Sequence, residues 1–240
     1  LYLKGIIIDT YMTQELHYSQ IPMDFGFFTK KTFDNFIVGD NKKLFNSLID
    51  FQNSDQIILL YGSKSSGKSH ICEAILNECD GGHILVNDRL KLINLTLTDY
   101  YSLVVIDDLD KLAVSKECEE KLFTIINNQI LNKKPVLVTS SKDINECNLN
   151  LKDLSSRLSS DKIFTISDLD DSDKINMMIS YCSQRGLEIP DKVLNYIINN
   201  CSRDIYFICA LIKSIDSASM STKKKITIPF IKKVLQLLNN

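Results

Sequence analysis

Short apolar runs alternate with amphipathic stretches along the first two thirds of the chain. Five runs predict buried strands, at residues 57–61, 83–87, 103–106, 135–141 and 162–166. Helical stretches lie between them, residues 116–132 being the longest example. This alternation predicts an α/β fold, in which a parallel sheet carries helices on both faces.

The pattern changes at residue 168, after which no strand signal appears. The first of four amphipathic helices opens at an Asp/Ser cap and closes at Gly186, and the second runs from Pro190 to about Asn200. A third follows Ser202 and is expected to end near Asp216, and a fourth begins near Pro229. We therefore expect a small all-helical unit after the sheet.

Composition narrows the class of protein. The 240 residues are 44% hydrophobic and 24% charged, which is the composition of a globular protein. The net charge of −2 argues against a protein that binds polyanions through its overall charge. Seven dispersed cysteines without a CxxC pair indicate reduced thiols, and no apolar run approaches the roughly 20 residues of a membrane helix. A cytoplasmic protein without membrane contact is expected. Because the first methionine is Met12, residues 1–11 are either native or upstream of the true start.

The segment IILLYGSKSSGKSH carries the strongest chemical signal. Its loop fits the pattern G-x-x-x-x-G-K-[ST], and strand, glycine loop and helix follow in the order that this motif requires. The candidate nucleotide-binding residues here are Gly62, Ser63, Lys64, Ser65, Ser66, Gly67, Lys68, Ser69 and His70. The glycines let backbone N–H groups face phosphate oxygens, Lys68 reaches the β and γ phosphates, and Ser69 offers a hydroxyl to Mg²⁺. ADP or ATP with Mg²⁺ is the predicted ligand.

The run YSLVVIDDLD supplies candidate acids at the end of another buried strand. Asp107 is the predicted Mg²⁺ carboxylate, and Asp108 would face the attacking water, where a longer Glu is common. The alternative is that either acid caps the following turn. Ser140, at the end of the fourth run, is a candidate contact to the γ-phosphate or the water, although a serine there is also an ordinary turn residue.

Several short segments together resemble one protein family. They are TFDNFIVGDN at 32–41, GKSH at 67–70, IDDLD at 106–110, DLSSRL at 153–158 and ITIPFIKKVL at 226–235. They resemble the AAA+ replication initiator DnaA and, more closely, the Hda family of DnaA regulators, over roughly residues 20–240. The end of the chain at the last helix, without a DNA-binding helix-turn-helix, favours the Hda family. The implied parts are a tail at 1–31, a nucleotide-binding αβ domain at 32–167 and a lid at 168–240.

The resemblance implies roles for residues outside the phosphate loop. Arg157 matches the arginine finger that this family presents across a subunit boundary, and an arginine fork can bond two γ-phosphate oxygens. The family carries a nucleotide-sensing arginine on the third lid helix. Here Tyr206 takes that position, and Arg203, expected on the same helix face, is a candidate substitute.

A second implied site lies in the tail. The family begins with a short peptide that binds the replication sliding clamp, and QIPMDF matches its form. The candidate clamp-binding residues are Gln20, Ile21, Met23 and Phe25. The other interpretation is a first strand, or an arm packed on the protein's own core.

The expected function follows from both sites together. The resemblance implies an adaptor that stimulates hydrolysis of DnaA-bound ATP, contacts DNA through the clamp alone and has weak ATPase activity of its own. Homo-oligomerisation is possible. One alternative is an autonomous ATPase, such as a helicase loader or transposition helper, and another is a nucleotide-binding module that hydrolyses nothing.

Overall fold

The computed structural model describes residues 30–96, 101–222 and 225–238. Within these ranges the strands form one parallel sheet of five, in the order β2-β3-β4-β1-β5. The strands are β1 Ile57–Tyr61, β2 His83–Val86, β3 Leu103–Ile106, β4 Val136–Ser140 and β5 Lys162–Thr165. Each predicted strand is confirmed to within one residue at each end.

Ten α-helices lie in the described ranges. They are α1 Lys42–Leu48, α2 Lys68–Glu78, α3 Arg89–Asn94, α4 Leu109–Leu112, α5 Lys116–Leu131, α6 Lys152–Leu158, α7 Asp171–Gln184, α8 Asp191–Asn200, α9 Ile205–Thr222 and α10 Ile228–Leu238. Among them, none has the combination of length and apolar character that a bilayer-spanning segment requires.

The strand order determines where the functional residues meet. β4 lies between β3 and β1, and every residue of β3 and β4 is buried, as the uninterrupted apolar runs predict. Because the strands are parallel, their carboxyl ends share one edge of the sheet. The loop after β1, the acids after β3 and the hydroxyls at the end of β4 are therefore neighbours at that edge.

Two apolar cores cover the sheet, and a third holds the lid together. One face packs against α3, α5 and α6, and the other packs against α1 and α2. The lid core is formed by α7, α8, α9 and α10. The predicted fold class is confirmed: a parallel α/β sheet with helices on both faces is followed by an all-helical lid.

The third lid helix corrects one prediction. α9 continues past Asp216 to Thr222, so the expected end near Asp216 is wrong. Asp216 is buried, and its carboxylate accepts a hydrogen bond from the side chain of Arg185, the residue that directly follows α7. An acid that suggested a helix end is instead an interior residue with a cationic partner, which periodicity does not reveal.

Candidate functional site

The glycine-rich loop between β1 and α2 has the backbone that its sequence requires. Gly67 has a φ of 104°, and Ser65 also lies in the left-handed region, with a φ of 70°. A Cβ at Gly67 would lie 3.1 Å from the ring of Phe36, and one at Gly62 would collide with Ile166. Both glycines are needed, because the segment before α1 and the end of β5 pack directly on the loop.

Lys68 holds the loop from inside. Its buried ammonium donates hydrogen bonds to the carbonyls of Gly62, at 2.8 Å, and Ser63, at 2.7 Å. Burial lowers the pKa of the Lys68 amine, and the nearby carboxylates of Asp108 and Asp107 act against that shift. A cation and the amino end of an 11-residue helix therefore meet at one point, an arrangement suited to phosphate groups.

The predicted metal residues are brought together. The Ser69 hydroxyl donates to the Asp107 carboxylate at 2.8 Å, and Asp107 also accepts from Thr139 at 2.5 Å. One carboxylate and one hydroxyl beside a phosphate-binding loop suit Mg²⁺, which takes its remaining ligands from water and substrate phosphates. The residues present fit the predicted ion.

Asp108 has an unusual conformation and a charged partner. It lies in the left-handed region, with φ 61° and ψ 56°, although it is not glycine. Its carboxylate accepts from the Lys111 ammonium at 2.5 Å and makes no cap hydrogen bond to α4. The interpretation of Asp108 as a helix cap is therefore not supported by the geometry.

A threonine that the sequence analysis did not select joins the two acids. Thr139 is completely buried in β4; its hydroxyl donates to Asp107 and accepts from the Asp108 backbone N–H at 3.0 Å. The neighbouring Ser140 hydroxyl is directed to Asp110, at 3.3 Å. The sequence did contain a signal for this role, since Thr139 is a polar residue within an apolar strand and a buried hydroxyl requires a hydrogen-bond partner.

Asp110 is the second residue that the sequence analysis missed. It accepts hydrogen bonds from the Ser141 backbone N–H at 2.9 Å and from the Ser141 hydroxyl at 2.5 Å. Burial by itself raises the pKa of this carboxyl, but the hydrogen bonds from Ser141 and Ser140 outweigh burial and lower the pKa. Asp110 therefore fastens the loop after β3 to the loop after β4.

His70 lies next to the loop, against the segment that precedes α1. Its ring nitrogen Nε2 is 2.9 Å from the Thr32 carbonyl, and its ring centroid is 5.4 Å from that of Phe36. Burial lowers the pKa of His70 below its ordinary value. The described contacts of this histidine thus fix residues 32–36 on α2.

The lid residues differ from the expected arrangement. Arg203 precedes α9, and its guanidinium is 3.2 Å from the Asp171 carboxylate of α7. The expectation that Arg203 and Tyr206 share a helix face is wrong, because Asp204 caps the helix by accepting from the Phe207 N–H at 3.0 Å. Tyr206, in the first turn of α9, instead lies under the ammonium of Lys64, 5.4 Å from its ring centroid.

Arg157 lies far from this site. It occupies the last turn of α6 and is exposed, and among the described residues its guanidinium has no hydrogen-bond or ion-pair partner. The turn that follows α6 lies at the edge of the sheet where the strands begin. Its Asp161 carboxylate accepts a hydrogen bond from the backbone N–H of Ile57, the first residue of β1, at 2.7 Å. β1 leads from that edge to the phosphate loop, a span of about 16 Å for its five residues.

The predicted clamp-binding residues, Gln20, Ile21, Met23 and Phe25, lie outside the described residues.

Comparison with known proteins identifies the lid and the fold. The family model described as "Hda, lid domain" matches residues 171–235. An uncharacterized protein of Haemophilus influenzae is 29% identical over 234 residues, which cover 91% of this chain and 99% of that protein.

Solved structures share the fold at lower identity. Domain III of DnaA from Thermotoga maritima superposes with a TM-score of 0.77 at 18% identity, over 86% of this chain and 95% of that one. AMPPCP-bound DnaA from Aquifex aeolicus superposes with a TM-score of 0.68 at 23% identity. The match covers 80% of this chain and 67% of the DnaA chain. The Thermotoga maritima RuvB Holliday junction branch migration motor superposes with a TM-score of 0.70 at 19% identity. The match covers 89% of this chain and 74% of the RuvB chain. Residues 171–235 therefore form an Hda lid domain, and the sheet domain that precedes it shares the fold of the DnaA and RuvB structures.

Proposed function

We propose that this protein is a clamp-tethered AAA+ adaptor that stimulates hydrolysis of the ATP bound to DnaA. It would thereby leave the initiator in its ADP form and negatively regulate the initiation of DNA replication. The observation that carries the proposal is the exposed Arg157, at the opposite edge of the sheet from the protein's own phosphate loop. The Hda lid supports DnaA as the partner.

The protein's own site would hold ADP or ATP with Mg²⁺. In support, Lys68 and the amino end of α2 supply positive charge at the loop, while Ser69 and Asp107 form a hydroxyl–carboxylate pair. DnaA, which has the same fold, has been solved with AMPPCP bound. The bound Mg²⁺ would neutralise phosphate charge, and Lys68 would hold the phosphates in place.

Arg157 would act on nucleotide in another subunit. Its guanidinium is exposed, and the length of β1 separates it from the loop of its own chain. A fork of N–H donors aimed at a γ-phosphate stabilises the charge that develops during transfer. The DnaA subunit docked against α6 would contribute the phosphate, and this chain the arginine.

The tail would supply the second attachment. Ile21, Met23 and Phe25 stand at alternate positions of the sequence, as a peptide that fills pockets on a partner requires, and Gln20 offers both a donor and an acceptor. Two contacts that are weak separately gain strength when the clamp and DnaA are held on the same DNA, because the second becomes intramolecular. DNA would be approached through the clamp alone, and the protein would also be able to form homo-oligomers.

Alanine at Gln20, Met23 and Phe25 together is expected to abolish clamp binding and leave the fold intact. Wild-type affinity for the clamp should be on the order of 1 μM, which corresponds to about −8 kcal/mol. Surface plasmon resonance on immobilised clamp measures the binding, and a urea melt measures the fold. Normal clamp binding by the triple variant, or a loss of stability above about 2 kcal/mol, would assign the segment to the protein's own core.

The protein alone is expected to hydrolyse ATP slowly, well below about 1 s⁻¹ at saturating ATP and Mg²⁺. Asp108 is shorter than the usual glutamate, its carboxylate is paired with Lys111, and Tyr206 brings no cation to the site. Phosphate release from the isolated protein measures the rate, with Lys68→Ala as the background. Turnover at or above about 1 s⁻¹ would instead favour an autonomous ATPase.

A further inference from the structure

The first three residues of the phosphate loop each contact the lid or the segment that leads to it. Gly62 packs against Ile166, and the Ser63 hydroxyl donates a hydrogen bond to the Asp168 carboxylate. The ammonium of the next residue, Lys64, lies over the ring of Tyr206 in the lid itself. The loop that faces phosphates on one side is thus connected to the lid on its other side.

The two lysines of the loop have separate tasks. The Lys68 ammonium is buried and bonds the loop's own carbonyls, while Lys64 is exposed and directed to the lid. Lys64 lies 5.4 Å from the ring centroid, within the distance of about 6 Å at which a cation is attracted to an aromatic face. Tyr206 is 46% exposed despite its size, so this ring is not simply a core residue of α9.

We propose that Lys64 and Tyr206 form a lid latch, through which nucleotide binding and lid closure stabilise each other. Phosphate groups order the loop that carries Lys64, and an ordered loop holds the ammonium where the Tyr206 ring can receive it. Because coupling between two sites is reciprocal, the latch in turn strengthens the binding of a nucleoside di- or triphosphate. This inference rests on the proposed nucleotide function, and it makes Tyr206 a positioning residue that needs no contact with phosphate.

A double-mutant cycle separates the latch from a direct effect of Lys64 on phosphate. The variants are Lys64→Met, Tyr206→Leu, their combination, and Tyr206→Phe, which keeps the aromatic face. Lys42→Met is the matched control, because it removes the same charge from an exposed position in α1. Affinity for ADP is measured by calorimetry, and the free energy of unfolding without nucleotide is measured in urea.

Each of Lys64→Met and Tyr206→Leu should weaken ADP binding about two- to five-fold, the range for an exposed cation–aromatic pair. The double variant should be no weaker than either, while Tyr206→Phe and Lys42→Met remain close to wild type. The same double-mutant cycle, measured by the free energy of unfolding in urea, should show a coupling between Lys64 and Tyr206 of the same sign. Independent, multiplying effects on ADP affinity would overturn the latch, because Lys64 would then act without Tyr206.

The two measurements also separate the latch from the function on which it rests. If the wild type fails to bind ADP, the proposed nucleotide function is wrong, and so is any link between the latch and nucleotide. Coupling in urea without coupling in ADP affinity would reduce the pair to a structural contact and would overturn the inference while leaving the nucleotide function standing.

Discussion

Replacing Arg157 with alanine should lower clamp-dependent hydrolysis of DnaA-bound ATP by about 10³–10⁵-fold, the usual contribution of an arginine finger. The same change should leave ADP affinity and clamp binding nearly intact, because Arg157 lies at the far edge of the sheet and its guanidinium bonds no described residue. The assay follows conversion of radiolabelled ATP to ADP on DnaA, in the presence of clamp loaded on DNA.

Two further variants test the geometry of the arginine. Arg157→Lys should fail nearly as completely as alanine, since a single ammonium cannot reproduce two parallel hydrogen bonds. Arg89→Ala, at an exposed arginine that opens α3, is the matched control and should remain active. Full activity of Arg157→Ala would rule out the trans finger, and an equal loss in Arg89→Ala would indicate a general charge effect.

Lys68→Ala should weaken ADP and ATP binding by about 10- to 100-fold. Hydrogen bonds to charged groups contribute about 1.5–3 kcal/mol, and 1.4 kcal/mol corresponds to a factor of ten. The amine is already buried at the loop, where it bonds two carbonyls, so its removal takes away both a phosphate partner and a support of the loop. A shift of melting temperature against ADP concentration measures the affinity.

The Lys68 variant needs a control for the loop itself. Lys68→Met keeps most of the side-chain volume and removes only the charged donor, so its affinity should fall to the same range as that of alanine. Lys111→Met removes a lysine that pairs with Asp108, outside the loop, and gives the effect of a nearby charge alone. Unchanged ADP binding in both Lys68 variants would show that the phosphate loop does not bind the nucleotide.

The sheet was predictable because its signals are local. Five apolar runs, each ended by polar or turn residues, match the five strands to within one residue at each end. The connection between Ser69 and Asp107 was also predictable, since the carboxyl ends of parallel strands share an edge and the loop motif fixes the spacing. In both cases the residues that determine the structure are contained in one short segment or in a motif whose geometry is known.

Other parts of the site depend on long-range partners. Asp216 lies inside α9, where its buried carboxylate accepts from Arg185, a residue 31 positions earlier in the chain. The role of Thr139 depends on acids in a different strand loop, and the contact of Tyr206 depends on how the lid meets Lys64. A pattern along one segment carries no information on a partner supplied by another, so these contacts emerged only from the fold.

The most direct test of the central claim is reconstitution of the reaction with the wild-type protein. Purified protein, with ADP or ATP present, is mixed with DnaA carrying labelled ATP and with clamp either loaded on DNA or absent. We expect rapid conversion to DnaA-bound ADP only when the protein and the loaded clamp are both present. Conversion at the rate of DnaA alone, or stimulation that is equally large without clamp, would contradict the account of a clamp-tethered adaptor.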